Sequence, residues 1–441
     1  MIRIKSIAIF LLAFTAYQYK VWGQSGSWAD YQNQKDYTGS GMTITIANAG
    51  QLARLAAVVN GGADFSSVTI NLTADINLGE HYWVPIGTAL HPFNGKFVGF
   101  SHTVSGLNIN DADLDNAGLF GYARGATISN LTVSAGSIAA DENVGILAGS
   151  LISSTLTNCS VSATGISGTR NVSALVGYRD LVSGITSCTV TATDVSLANN
   201  GDNSTMLSDC RNKPCNVTLS GRTLYKDGAW NTICLPFDYD PAYGVLAGDG
   251  VEIYTLSGAA IDGTRLNLTF GDNVAGNGVM RAGVPYIIKW NDTGANLANP
   301  VFQGVVPRVT APADYDNKVS GDTRVRLRGT FSQQALAAQD QSILFMGGNN
   351  TLYYPGKSTN IGSCRAYFKI GEDVSSAKLL SDFSFIFGEE TVTGIVELEA
   401  RSEESGVGSK NEWFDLQGCK LAGKPTRKGI YIINGKKVLI K

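Results

Sequence analysis

Ile128-Ser-Asn-Leu-Thr-Val133, Leu156-Thr-Asn-Cys-Ser-Val161 and Ile185-Thr-Ser-Cys-Thr-Val190 are three copies of one phrase. A second phrase recurs between them: Gly118-Leu-Phe-Gly121, Ile146-Leu-Ala-Gly149 and Ala174-Leu-Val-Gly177. Leu119, Leu147 and Leu175 stand 28 residues apart, and Val133, Val161 and Val190 stand 28 and 29 apart. A fixed period of this size with alternating apolar positions predicts stacked β-coils. Residues i, i+2 and i+4 of each short strand point inward, and glycines serve as corners. One coil cannot bury its inner face alone, so coils stack about 4.8 Å apart through parallel ladders.

Working outward, Val68-Thr-Ile-Asn-Leu72 and the stretch from Phe97 to Ile109 read as earlier, less regular coils. The apolar helical run from Gln51 to Val59 would cover the open end and protect a parallel edge. Asn130 and Asn158 share one repeat position, with Ser187 next, and their side chains can form an amide ladder in a turn. Both asparagines fall in glycosylation sequons, but a repeated position on a packed strand is a poor acceptor. Cys159 and Cys188 are also equivalent and stand where the preceding coil has Leu131. Small buried apolar side chains explain them, with a disulfide between coils as the alternative. Cys210 and Cys215 are near enough to pair around a Pro-containing loop or to stay as thiols. No further ligands at matching spacing suggest zinc.

The chain has 441 residues, 51 of them glycine, with 44% hydrophobic and 16% charged side chains. That is not the composition of a highly charged unstructured chain. Its formal charge of −3 argues against a phosphate-binding surface, so no nucleic-acid partner is expected. Arg3 and Lys5 precede the apolar stretch Ser6 to Ala16, which is too short to span a bilayer, so residues 1–23 read as a secretory signal. Its removal takes Arg3, Lys5 and Lys20 and no acid, leaving a more acidic exported protein. No later run is long enough for a transmembrane span.

Beyond the repeats, residues 211–390 hold strand-like runs such as Trp230 to Phe237, Arg265 to Phe270 and Phe383 to Phe387. Gly, Asn and Asp turns separate them at sandwich-like intervals. Residues 391–411, flanked by acids and rich in Ser and Gly, read as a solvated linker. Residues 412–441 carry seven bases and two acids, and Asn434-Gly435 between strand runs is a hairpin signal. The expected organisation is therefore a signal (1–23), a cap (24–63), a solenoid (64–210), a sandwich-like domain (211–390), a linker (391–411) and a β tail (412–441). The fold class is all-β.

Trp83-Val-Pro-Ile-Gly87, Phe93-Asn-Gly95, Ser101 to Leu107 and the two repeated phrases together resemble the GLUG-motif repeats of bacterial surface proteins. The resemblance implies a right-handed parallel β-solenoid and an adhesin-like or accessory module. His102 then matches the family's structural histidine. Ala174 departs from the pattern, replacing the first glycine of that landmark. The phrases Trp230 to Phe237, Leu352 to Pro355 and Cys364 to Ile370 resemble C-terminal β-domains of Bacteroidota-type exported proteins. Trp413-Phe-Asp-Leu-Gln-Gly418 with Gly429 to Lys441 resembles the sorting domain of the type IX secretion system, although Cys419 stands where a base is more usual. That resemblance implies the export and sorting machinery as partner and a cell-surface or outer-membrane location.

The best acidic cluster is Asp111-Ala-Asp-Leu-Asp-Asn-Ala-Gly118. Asp111, Asp113 and Asp115 alternate as in the opening of a calcium loop, but Tyr122 fills the twelfth position. A polar corner between coils is the competing reading. Asp141 and Glu142 occupy the corresponding loop of the next coil. All three histidines, 81, 91 and 102, lie in one window, and no nucleophile elbow, phosphate loop, dinucleotide fingerprint or zinc-protease helix is present. Tyr82, Trp83, Trp230, Tyr353 and Tyr354 could stack on sugars or anchor a core. The sequence therefore points to a non-catalytic surface protein binding a glycan or host matrix ligand. A polysaccharide lyase or glycosidase using the groove is the alternative, as is a structural surface component.

Overall fold

A computed structural model describes residues 42–79, 81–276, 278–291, 294–312, 314–315, 325–371, 380–388 and 390–398. It also describes the short strands Trp413–Phe414, Lys420–Leu421, Gly429–Ile433 and Lys436–Ile440. The proposed signal segment lies outside these residues, as do Asn434, Gly435 and Cys419.

The N-terminal half is a parallel β-solenoid of about five turns. One wall is a six-stranded parallel sheet formed by Thr43–Ile46, Thr69–Leu72, Lys96–Val98, Thr127–Ser129, Thr155–Thr157 and Gly184–Thr186. A second wall stacks Ile76–Asn77, Thr103–Asn110, Thr132–Ala139, Ser160–Ser167 and Thr189–Val190. A third stacks Phe120–Arg124, Ala148–Ile152 and Val176–Arg179. The 28-residue register is visible in the pairing of Ile128 with Leu156 and of Val133 with Val161. Leu119, Leu147, Val133 and Val161 are buried in one continuous core. That burial is why the period had to be kept: slipping one residue would turn every apolar side chain outward.

The helix Ala49–Asn60 follows the terminal strand of the first wall. Asn48 caps it by accepting from the Gln51 amide at 3.0 Å. Leu52, Leu55, Ala56 and Val59 face the solenoid core, at spacings of one helix face. Phe93 lies 5.2 Å from Phe120 between ring centroids, and Phe97 meets Phe120 edge-on at the same distance. These rings fill the core of the first coils, where the repeat is least regular.

The glycine landmark has a steric cause. A Cβ on Gly149 would lie 2.3 Å from the Asn116 carbonyl carbon, and one on Gly177 would lie 2.4 Å from that of Asn143. Asn116, Asn143 and Asn171 all have positive φ, of 63°, 56° and 55°. Asparagine tolerates this conformation better than other side chains with a Cβ. Each glycine thus lets one coil close onto a left-handed corner of the coil before it.

After the last coil, Thr193–Ala198 pairs in parallel with Cys215–Ser220, and that strand pairs antiparallel with Val301–Val305. The change from parallel to antiparallel architecture happens across Cys215–Ser220. The helix Ser204–Asp209 bridges the two. Antiparallel and mixed sheets follow, the largest among the described residues having nine strands. Within it Glu390–Leu398 pairs antiparallel with Asp382–Phe387. The solvated linker expected over 391–411 is therefore corrected across its first part. The acids at 389, 390 and 397 concealed a Thr391-Val-Thr run suited to a pleated surface, and Val392 packs on a buried cluster that includes Phe385. Gly429–Ile433 and Lys436–Ile440 pair antiparallel, with Ile433 opposite Lys436.

Candidate functional site

The strands of the first wall alternate inward apolar and outward polar residues. Their register therefore lines up two outward columns. One runs Thr43, Thr69, Lys96, Thr127, Thr155, Gly184, and the other Thr45, Asn71, Val98, Ser129, Thr157, Thr186. Spacing is roughly 4.8 Å between strands and about 6.6 Å between the columns. Thr155 Oγ1 donates to Thr127 Oγ1 at 3.4 Å. Around the corner, Asn158 Nδ2 donates to Asn130 Oδ1 at 3.3 Å, which is the amide ladder expected from the repeat. Asn130, Asn158 and Ser187 share φ values of 54°, 54° and 53°. On the second wall Ser160 and Thr189 hydroxyls lie 2.8 Å apart. From Thr127 to Thr189, hydroxyl and amide groups thus line a polar strip over two walls of the solenoid, while Lys96 and Val98 interrupt it toward the first coils.

The acidic cluster behaves differently. Asp111 Oδ1 accepts from the Asp113 amide at 3.1 Å, closing a local turn. Among the described residues no group of three or more His, Cys, Asp or Glu could hold a metal ion, so Asp111, Asp113 and Asp115 are not brought together into such a group. Asp141 accepts from Thr169 Oγ1 at 2.6 Å, and Glu142 pairs with Arg170 of the next coil. These acids are tied to neighbouring coils. Asp75 is tied to the next coil too: it reaches His102 Nδ1 at 3.2 Å and accepts from the Thr103 amide at 2.8 Å. Those two bonds, the backbone one foremost, hold its carboxyl below the usual range. His102 is a turn residue of the coil.

Of the aromatic candidates, Trp83, Trp230 and Tyr354 are buried. Trp83 Nε1 donates to the Leu119 carbonyl at 3.0 Å, and Trp230 stacks on Phe387 at 5.1 Å. Tyr353 stacks on Phe345, and Tyr82 is 61% exposed. Only Tyr82 stands free for a ligand in this set.

Sequence reasoning missed the junction between the two halves. A cleft of about 270 Å³ opens there, lined by Tyr178, Arg179, Leu181, Asp240 and Gly278. The Arg179 guanidinium carbon sits 3.0 Å from the Tyr243 ring centroid, and its Nε lies 4.0 Å from Asp240. Burial lowers the Arg179 pKa and raises that of Asp240. Tyr243 donates to the Asp180 carbonyl at 3.1 Å. Stacking and hydrogen bonding make this cleft a docking seam that holds the last coil. No family model, no curated protein and no solved structure matches this chain. Among the described residues no helix is long and apolar enough to cross a membrane.

Proposed function

We propose that the chain is an exported, non-catalytic, adhesin-like protein of the cell surface whose solenoid binds a glycan or host matrix ligand. The binding surface is the polar strip through Thr127, Thr155, Thr157 and Asn158. The observation that carries this reading is the in-register ladder of outward hydroxyl and amide groups. Such an array offers donors and acceptors at a fixed repeat, matching an extended polyhydroxylated chain better than a compact ligand. The GLUG-type phrases and the C-terminal sorting-type segment support surface display. Export and sorting machinery would then be the transient partner.

A glycan and matrix-protein array, with the full chain and with or without calcium, tests it. Binding without bond cleavage is expected, and the doubly substituted Thr127→Glu, Thr155→Glu protein should bind at least about tenfold more weakly, equivalent to roughly 1.4 kcal/mol. Release of new chain ends from a bound polysaccharide would replace the adhesin with an enzyme. Loss of binding in chelator would restore calcium at Asp111, Asp113 and Asp115.

A further inference from the structure

Six of the seven cysteines lie among the described residues, all as thiols. Two of them mark the end of the solenoid. Cys159 immediately precedes Ser160, and Cys188 immediately precedes Thr189; these two followers are paired in register. The Thr189 amide donates to the Cys159 carbonyl at 2.9 Å. Cys188 therefore stacks on Cys159 at one strand spacing, about 4.8 Å, inside the Cα window of roughly 4.4–6.8 Å that a disulfide requires. As thiols, Cys159 Sγ donates to the Thr157 carbonyl at 3.5 Å and Cys188 Sγ to the equivalent Thr186 carbonyl at 3.5 Å, so the two side chains take matching positions in successive coils.

We infer that Cys159 and Cys188 are a modification site, oxidised to a disulfide that staples the last coil to the one beneath it. Along the second wall the last coil is held by only a short ladder. Its second-wall strand, Thr189–Val190, has two residues against eight in Ser160–Ser167, and Leu181 and Val182 are exposed. A covalent tie there stops fraying without disturbing a long ladder, and a short edge strand can yield the few tenths of an ångström needed for closure. Cys159 is fully buried whereas Cys188 is partly exposed, so only Cys188 meets an oxidant first.

The chemistry is thiol–disulfide exchange with a disulfide-bearing oxidoreductase or oxidised glutathione. The Cys188 thiolate attacks one sulfur of that disulfide, and the other sulfur leaves with the electron pair. Cys159, as thiolate, then attacks Cys188 Sγ and expels the second oxidant sulfur. Two S–H bonds are lost from the protein, one S–S bond forms, and the oxidant takes two electrons and two protons, becoming a dithiol in the oxidoreductase or two glutathione thiols. The neighbouring Cys159 thiol draws the Cys188 pKa down to about 7, against the effect of burial. The same proximity, with burial, pushes Cys159 up. This division suits Cys188 as the attacking thiol.

The full chain is to be equilibrated with oxidised glutathione, alkylated, denatured and cleaved before aspartates. Cys159 then lies in peptide 141–179, Cys188 in 180–193, and Cys210 with Cys215 in 209–226. The expected product is 141–179 joined to 180–193 and separated by reductant. Recovery of both peptides alkylated, or of 180–193 joined to 209–226, overturns the inference. Reductant should also lower the melting temperature by roughly 5–10 °C, and Cys188→Ser should shrink that shift. An unchanged reductant shift in this variant equally overturns it. Ligand binding is measured separately, so either proposal can fail alone.

Discussion

Arg308, from the antiparallel half, donates from Nη2 to the buried Asp238 carboxylate at 2.8 Å and from Nη1 to the Gly168 carbonyl of the solenoid at 3.1 Å. Asp238 in turn accepts from the Val172 amide at 3.1 Å and the Ala282 amide at 2.8 Å. One carboxylate therefore gathers a coil, a loop and a cation at the seam. A second link runs parallel to it. Asn143 donates to Asn116, Asn171 donates to Asn143, and Arg281 donates to Asn171. The solenoid's inner amide ladder ends on an arginine from the other half.

Removing the carboxylate should therefore be costly. Asp238→Ala leaves the mostly buried Arg308 guanidinium with the Gly168 carbonyl but no counter-charge, and the Val172 amide unsatisfied, a loss of about 3–5 kcal/mol. Urea unfolding monitored by tryptophan fluorescence measures it. A loss below about 1 kcal/mol would mean that the seam does not depend on this pair.

The segment after Val301–Val305 closes the C-terminal end of the stack. Val306 is fully buried in the solenoid core although it belongs to the second half of the chain, and Ser173 bridges to Val305. Val306→Asp buries an unpaired acid there. Hydrogen exchange of amides between 172 and 190 should accelerate at least about tenfold, while amides of Thr69–Leu72 stay protected. Uniform loss of protection would show that the end is not closed locally.

Backbone conformation separates two substitutions at one site. At Asn158, with φ of 54°, glycine adopts the required angles freely whereas valine does not. Asn158→Gly should cost less than about 1 kcal/mol, and Asn158→Val about 1–3 kcal/mol. Gly149→Ala, driven into the Asn116 backbone, should cost about 1–3 kcal/mol or more through overpacking. Thermal melts of the three proteins would rank them; equal values for Gly and Val at 158 contradict the assigned corner.

Acid should loosen the solenoid. Asp64 is held below its ordinary pKa of 3.8 by the Ser66 amide and Asn94, and Asp75 by the Thr103 amide and His102. At Asp180 burial pushes upward, but bonds from Ser183 and Ser153 together outweigh it and the net shift is down. A carboxyl depressed in the folded state adds stability above its unfolded pKa, and that stability is lost as pH falls through the folded value. Stability should be flat near pH 6 and decline below about pH 4. Asp75→Asn should flatten that decline, which far-UV circular dichroism across pH 2–6 would read; an unaltered profile excludes Asp75 as a contributor.

Much of the solenoid was legible because its physics is periodic. Val133, Val161 and Val190 recur at nearly constant spacing, and a buried inner face tolerates no slip, so stacking follows from pattern alone. The amide ladder of Asn130 and Asn158 was legible for the same reason. The inner ladder was not, because Asn116 lies in a bend and Asn143 in the three-residue strand Glu142–Val144, 27 residues on and outside the two repeated phrases. The linker expectation failed at Glu390–Leu398, where exposed acids masked a strand whose partner, Asp382–Phe387, lies just upstream.

What the sequence determined by itself was local and repetitive: the coil period, the glycine landmarks, the covering helix at Ala49–Asn60 and the outward run of threonines. These depend on side chains a fixed number of bonds apart. Only the tertiary structure decided what closes the other end. Val306 in the solenoid core, Arg308 on Gly168 and Arg281 on Asn171 are contacts across more than 100 residues. No period links such positions; shape and charge complementarity between two finished surfaces selects them.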